Sequence, residues 1–338
     1  MAQKLGRQTV IFTNPPYVQG CFSSVGKLEN EGPLSGSFDA VYDDEFIGAK
    51  SWEQAENRLI KNTVAGAMTK AGVTPDEVDY IFTGDLLNQC TGSSFGIADF
   101  DIPFFGLYGA CSTMIESLSL ASVIMDANLA NYVIAATSSH FCSSEKQYRF
   151  PLEYGGVRTP TSQWTVTGSG AVVLGRKKSN VKVSSITTGK LMHLGVCDAN
   201  NMGAAMAPAA SDCIYTHFKE TGLDTDYYDL IVTGDLSAVG TTLLYELLGK
   251  KGLNITHNHK DTGIMIYDSE TQGTNAGGSG CGCVASVLCG HFLPKLAKGE
   301  LNKILVVATG AMMSPTTAQL GEPILGIAHA CAIENEKA

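Results

Sequence analysis

Nowhere in the chain do about 18 apolar residues run together without interruption, the length a membrane-spanning helix needs, so an integral membrane protein is not expected. Met1 to Tyr17 also lacks the apolar core of about 7–15 residues that marks a secretory signal, and an intracellular, soluble chain is the expectation. Basic residues are scarce: 23 lysines and arginines stand against 33 aspartates and glutamates, giving a net charge of −10 and a pI near 5.2. Phosphate backbones are held by clustered cations, so a nucleic-acid surface is excluded as a class. Charged residues of both signs amount to only 17%, against a usual ~25%. No repeat with a period of about 20–50 residues is present, which removes a solenoid.

What the chain has instead is 44% hydrophobic residues and 37 glycines, the profile of a globular body with many tight turns. Its 338 residues correspond to roughly two domains of ~150 or one large duplicated unit. Ten cysteines are many for a cytosolic chain yet too sparse for a disulfide scaffold, and they read as reduced, buried, small apolar residues. Cys281, Cys283, Cys289 and His291 have the residue types of a metal site. The glycine-rich run before them reads as a packed helix start, and neither a metal nor a cofactor is expected.

The chain echoes itself. Asp79 to Leu86 reads DYIFTGDL and Asp229 to Leu236 reads DLIVTGDL, six identities in eight positions at a separation of 150 residues. Each is apolar in its middle, as a strand buried on both faces should be. A second echo pairs Asn131–Thr137 (NYVIAAT) with Asn302–Thr309 (NKILVVAT). Between the paired strands lie Gly109–Leu120 and Gly277–Leu288, small-residue turns leading into apolar helices. The order helix, strand, turn, helix, strand therefore occurs twice, with the boundary expected in the polar stretch GRKKSN at Gly175–Asn180, giving halves 1–177 and 178–338. Val181, Val183, Ser185 and Thr187 then alternate as a new strand. Ser51 with Gln54 forms a capping box ahead of a helix whose apolar stripe, Trp52 to Ala71, stops at Gly72.

Ile102–Tyr108 reads as a strand, and Met114, Leu118, Ala121, Met125 and Leu129 mark the buried stripe of a following helix, so Cys111 sits where a strand turns into a helix. A thiol there is expected to feel the helix dipole and unpaired N–H groups, which favour thiolate and cradle an oxyanion or carboxylate. The alternative is a small buried residue at a crowded turn.

The duplicated halves, the turn Gly109-Ala110-Cys111-Ser112 and the run Thr167 to Leu174 (TGSGAVVL) resemble the thiolase and ketoacyl synthase superfamily over essentially the whole chain. A narrower resemblance, to a sporulation family of endospore-forming bacteria, rests on Gly84–Gln89 (GDLLNQ), Leu107–Thr113, Ala136–His140 (ATSSH), Pro151–Gly156 (PLEYGG), Asn201–Ala210 (NMGAAMAPAA), Ala276–Cys281 (AGGSGC) and Ala308-Thr309-Gly310. The superfamily resemblance implies an α/β fold of duplicated thiolase-like halves in five layers, α/β/α/β/α, and a homodimer. Condensing members pair the cysteine with a histidine and an asparagine. The histidine position falls here in Thr233-Gly234-Asp235, where none stands, and Gly273 is followed by Thr274 with Asn275 one place late.

A cysteine turn without its partners implies a fold kept for binding, and the sporulation resemblance implies the ligand: dipicolinic acid (pyridine-2,6-dicarboxylate), with or without calcium, on its way into the developing spore. The candidate ligand residues are Cys111, Ser112, Ser139, His140, Thr167, Ser169, Asp235 and Met312, with Arg149 or Arg158 as the cation. His257 and His259 read as loop or pocket-rim residues. Integral membrane proteins of the same sporulation operon are the expected partners, bringing the chain to the spore inner membrane. Two other readings stay open: an acyl-transfer enzyme in which Asp235 or His140 replaces the missing base, and a scaffold that only docks on membrane partners.

Overall fold

The computed structural model describes residues 2–148 and 157–337. Five strands of the first half, β1 (Tyr17–Gly26), β2 (Tyr80–Gly84), β3 (Phe104–Gly106), β4 (Tyr132–Ser139) and β5 (Gly168–Gly175), are matched by five of the second. These are β6 (Val181–Thr187), β7 (Leu230–Gly234), β8 (His259–Asp261), β9 (Lys303–Met312) and β10 (Leu325–Asn335). The order along the sheet, β8-β7-β9-β10-β6-β1-β5-β4-β2-β3, reads the same from either end once β1 is equated with β6, β2 with β7, and so on. The octapeptides supply β2 and β7, each parallel to a neighbour on both sides. Neither lies at an edge.

The repeat extends to hydrogen bonds. Asp79 accepts from the backbone N–H groups of Asn131 (2.6 Å) and Tyr132 (3.3 Å), tying the start of β4 to β2. Asp229 does the same for Asn302 and Lys303 at the start of β9. The polar stretch at Gly175–Asn180 joins β5 to β6.

Helices α1 (Trp52–Ala71), α2 (Thr113–Asp126), α3 (Phe141–Tyr148), α4 (Met202–Thr221), α5 (Ser237–Gly249) and α6 (Cys281–Val287) complete the layers. Both faces of the inner strands are apolar, so each must be covered. On β9, Ile304, Val306 and Ala308 join a core with Met114, Leu118 and Val284, whereas Leu305 and Val307 join another with Met206, Ala209 and Leu244. On β4, Val133 and Ala135 face the same central core, and Ile134 and Ala136 pack against Ile60 and Val64. Thus α2 and α6 lie between the halves, α1 covers one outer face, and α4 with α5 covers the other. Burying each such aliphatic side chain contributes about 1.5–3 kcal/mol.

The expected α1 begins at Ser51, whose Oγ accepts from Gln54 N–H (3.3 Å), and ends at Gly72 in the left-handed region. The Gln54 side chain bonds the N–H of Lys50 instead of that of the capping serine. Two expectations are corrected. The Ile102–Tyr108 strand shrinks to β3, an exposed edge, because no further strand pairs beyond it. Leu129 is 63% exposed, since α2 ends at Asp126 and the chain turns out at Asn128, whose φ is 62°. Among the described residues no helix is long and apolar enough to cross a membrane.

The end of β9 presses on the turn that carries Cys111: a side chain at Gly310 would collide with the Gly109 carbonyl oxygen. Gly310→Ala is therefore expected to lower stability by about 1–3 kcal/mol in a denaturant titration. Gly249→Ala, at a helix end with open space around it, should be neutral or slightly stabilising in the same measurement.

Candidate functional site

Cys111 lies in a single 3-10 turn, Ala110–Ser112, that leads into α2. The turn is cross-braced: Ser112 Oγ donates to the Gly109 carbonyl (2.7 Å), Thr113 Oγ1 donates to the Ala110 carbonyl (2.6 Å), and Gly109 N–H donates to Thr113 Oγ1 (3.1 Å). Ala110 takes a left-handed φ of 50°, a strained value for a residue with a Cβ. The turn holds the thiol against Cys281, the first residue of α6, with Leu86, Tyr148 and Met312 packed around them.

This cluster forms one end of a cavity of about 240 Å³. Leu86, Ala110 and Cys111 line it from the first half, Ser144, Glu145 and Tyr148 from α3, Ser162, Gln163 and Thr165 from the segment before β5, and Asn200, Met202, Ser279 and Met313 from the second half. Two of its polar atoms, Gln163 Oε1 and Ser144 Oγ, are buried without a hydrogen-bond partner among the described residues. Gln163 is oriented by its amide nitrogen, which donates to the Asp235 carbonyl (2.6 Å) and to Ser237 Oγ (3.0 Å). Arg158 stands behind the lining, 2.7 Å from Glu145 Oε1 and donating to the Gln163 carbonyl (2.7 Å). The Tyr148 hydroxyl donates to the Leu86 carbonyl (2.6 Å) and meets the Tyr108 hydroxyl at 2.6 Å.

Of the residues expected from the sequence, Cys111 lines this cavity, Met312 packs on the cysteine, and Arg158 adjoins the wall. Asp235 is fully buried behind it, accepting from Gly280 N–H (2.9 Å) and Thr309 Oγ1 (3.1 Å). The others are elsewhere. Ser112 braces its own turn, Ser139 donates to the Val166 carbonyl (2.7 Å), and Ser169 donates to the Thr137 carbonyl (2.9 Å), so these hydroxyls are spent on the framework. His140 and Thr167 line a different cavity, because β4 ends at Ser139 and turns its next residue away from the cysteine. Arg149 and the segment Pro151–Gly156 lie outside the described residues.

None of the seven histidines lines the Cys111 cavity. His257 is exposed and pairs with Asp226 (2.7 Å), and His259 is buried between Thr233 and Tyr245. Asn275 stands behind the wall, donating to Ser162 Oγ (3.3 Å). Sequence reasoning missed Ser144, Glu145, Tyr148, Gln163 and Asn200. Asn200 directly precedes the Asn201–Ala210 run, but nothing local marks Gln163.

The expected thiolate is also corrected. Burial, then the neighbouring Asp235 carboxyl, pushes the Cys111 thiol well above its ordinary range, and burial likewise raises the Asp235 carboxyl. A helix terminus contributes about 0.3–2 kcal/mol towards an anion, less than the several kcal/mol of losing water around a buried charge. Iodoacetamide at neutral pH is therefore expected to alkylate exposed Cys197 and leave Cys111 unmodified, as read by peptide mass mapping. Rapid alkylation of Cys111 would show an ionised thiol.

Behind Leu86 lies a pair of buried carboxyls. Glu56, on α1, accepts from Ser138 Oγ (3.2 Å) and Ser143 Oγ (2.6 Å), and Asp85 accepts from Leu87 N–H (2.8 Å) and from Ser93 N–H and Oγ (both 2.6 Å). Burial, followed by the charge of Asp85, raises Glu56 to about 8. Between its ordinary 4.5 and about 8 the folded chain keeps a proton that the unfolded chain releases, so this contribution is full at low pH and is lost as pH rises towards 8. Glu56→Gln should flatten the decline of melting temperature between about pH 5 and 8. An unchanged slope would assign that decline to other groups.

Comparison with known proteins places this geometry. The family model for stage V sporulation protein AD (SpoVAD) matches residues 6–334. The curated stage V sporulation protein AD of Bacillus subtilis (strain 168) is 43% identical over 329 residues, covering 97% of each chain. Among solved structures, 3-oxoacyl-[acyl-carrier-protein] synthase III from Aquifex aeolicus VF5 superposes with a TM-score of 0.57 at 14% identity, over 94% of this chain and 99% of its own. Cerulenin-bound Xanthomonas campestris OleA gives 0.61 at 13%, over 96% and 97%. Those likenesses establish a thiolase-like fold of the ketoacyl synthase type, and the match along nearly the whole sequence establishes that the chain belongs to the stage V sporulation protein AD family.

Proposed function

We propose that the chain acts in sporulation as a non-catalytic binder of dipicolinic acid, held in the Cys111 cavity during uptake into the developing spore. The observation that carries this reading is a small, largely apolar cavity beside a neutral thiol, lined by no imidazole and retaining two unpartnered polar atoms in its lining residues. At about 240 Å³ it lies below the usual ligand-site range of about 300–1,000 Å³, which suits a single-ring dicarboxylate better than a long acyl-pantetheine arm. Arg158, bonded to the cavity-lining Glu145, places a guanidinium just outside the lining, and the unpartnered Ser144 hydroxyl is a donor for a carboxylate. Covalent chemistry needs the thiolate, and burial pushes the Cys111 thiol well above its ordinary range. Attachment to a membrane runs, in this reading, through integral partner proteins.

Calorimetric titration with dipicolinate tests the proposal. Cys111→Phe should abolish binding by filling the cavity, and Arg158→Ala should weaken it about tenfold or more. Cys111→Ala should weaken it less, since no covalent bond is made. Circular dichroism checks that each variant is folded. Undiminished affinity in folded Cys111→Phe would place the ligand elsewhere, and steady turnover of acyl thioesters that vanishes in Cys111→Ala would make the chain an enzyme.

A further inference from the structure

His140 and Thr167, displaced from the cysteine, belong to a separate cavity of about 300 Å³. Its chemistry differs. Lys27 is the one cationic side chain among its lining residues, against Glu29, Glu31, Asp43, Asp44 and Glu45. Phe141 and Trp164 stack at 4.1 Å in its wall and add aromatic surface.

His140 is 1% exposed, and its ring orientation is determined by one bond, from Nε2 to the Glu45 carbonyl oxygen at 2.8 Å. A carbonyl only accepts, so Nε2 carries the proton. Burial lowers the pKa of the ring and keeps it neutral, which leaves Nδ1 a bare acceptor. Nδ1 has no partner among the described residues. A buried imidazole nitrogen without a donor is costly, and none of the described residues that line the cavity donates to it.

The missing donor and the surplus negative charge call for the same occupant. A metal ion is a poor one, since no three histidine, cysteine or carboxylate side chains among the described residues are grouped to hold it. We propose that this cavity is a second ligand site, for an organic cation: an alkylammonium or guanidinium group that donates a hydrogen bond to His140 Nδ1 while the acidic rim balances its charge and the aromatic pair takes its carbon chain. Such a group can come from a free small amine or from a basic side chain presented by another protein. Its lining shares no residue with that of the Cys111 cavity.

The test uses the full chain labelled with nitrogen-15 histidine, followed by NMR during titration with agmatine, or with a blocked tetrapeptide carrying one lysine. Saturable binding that moves the His140 Nδ1 resonance from its free-acceptor position is the expected result, and it should persist in Cys111→Phe. Agmatine alone acting identifies a free amine as the source; the peptide acting as well identifies a side chain. His140→Phe should bind about tenfold or more weakly, as loss of a hydrogen bond to a charged group implies. Glu45→Gln, an exposed rim change that keeps the carbonyl bond to His140, should weaken binding and reduce its salt dependence. No shift of Nδ1 with either probe, equal binding of 1-butanol, or undiminished affinity in folded Glu45→Gln and His140→Phe would overturn the proposal.

Discussion

Two helices from different halves of the chain share one buried layer, and the rest of the molecule is arranged around that requirement. Because α2 and α6 lie between strands of both halves, the faces they turn to those strands are apolar, as Met114, Leu118, Val284 and Val287 show. The same packing brings the first turns of both helices together, so Cys111 meets Cys281 at the junction of the halves. Close approach of β9 to this turn leaves room for only a glycine at position 310. The site is thus a by-product of the central layer.

Burial then decides the chemistry. The turn has the outline of a nucleophile support, with a strained Ala110 and a helix dipole behind the thiol. Yet loss of water outweighs both, raising the Cys111 thiol and the neighbouring Asp235 carboxyl well above their ordinary values. The Gly280 N–H is already donated to Asp235 and is not free to cradle an anion. Of the polar atoms in the cavity's lining residues, Gln163 Oε1 and Ser144 Oγ are left without a partner among the described residues.

One short segment separates the two cavities. Trp164 stacks on Phe141 and faces the acidic cavity, while Gln163 and Thr165, its neighbours in sequence, line the cavity of the cysteine. Arg158 touches both: its guanidinium lies 4.5 Å from the Trp164 ring centre and bonds Glu145 and the Gln163 carbonyl on the other side. Alternation along an extended chain sends adjacent residues to opposite faces, which is how three successive residues serve two sites of different charge.

The sequence by itself determined the features whose causes are local. The octapeptides at Asp79 and Asp229 had to be buried strands because their centres carry no polar face, and Ser51 and Gly72 had to bound a helix because capping and a left-handed residue are short-range needs. The cysteine turn was legible for the same reason. Only the tertiary structure decided where each hydroxyl and ring points. Ser139 and Ser169 are spent on backbone carbonyls of other segments, and His140 bonds to Glu45, 95 residues away. Gln163 enters the cavity because Asp235 and Ser237, more than 70 positions later, hold its amide. The ionisation of Cys111 was settled by the long-range burial that no local motif records, since the cost of removing water around a charge depends on everything packed against it.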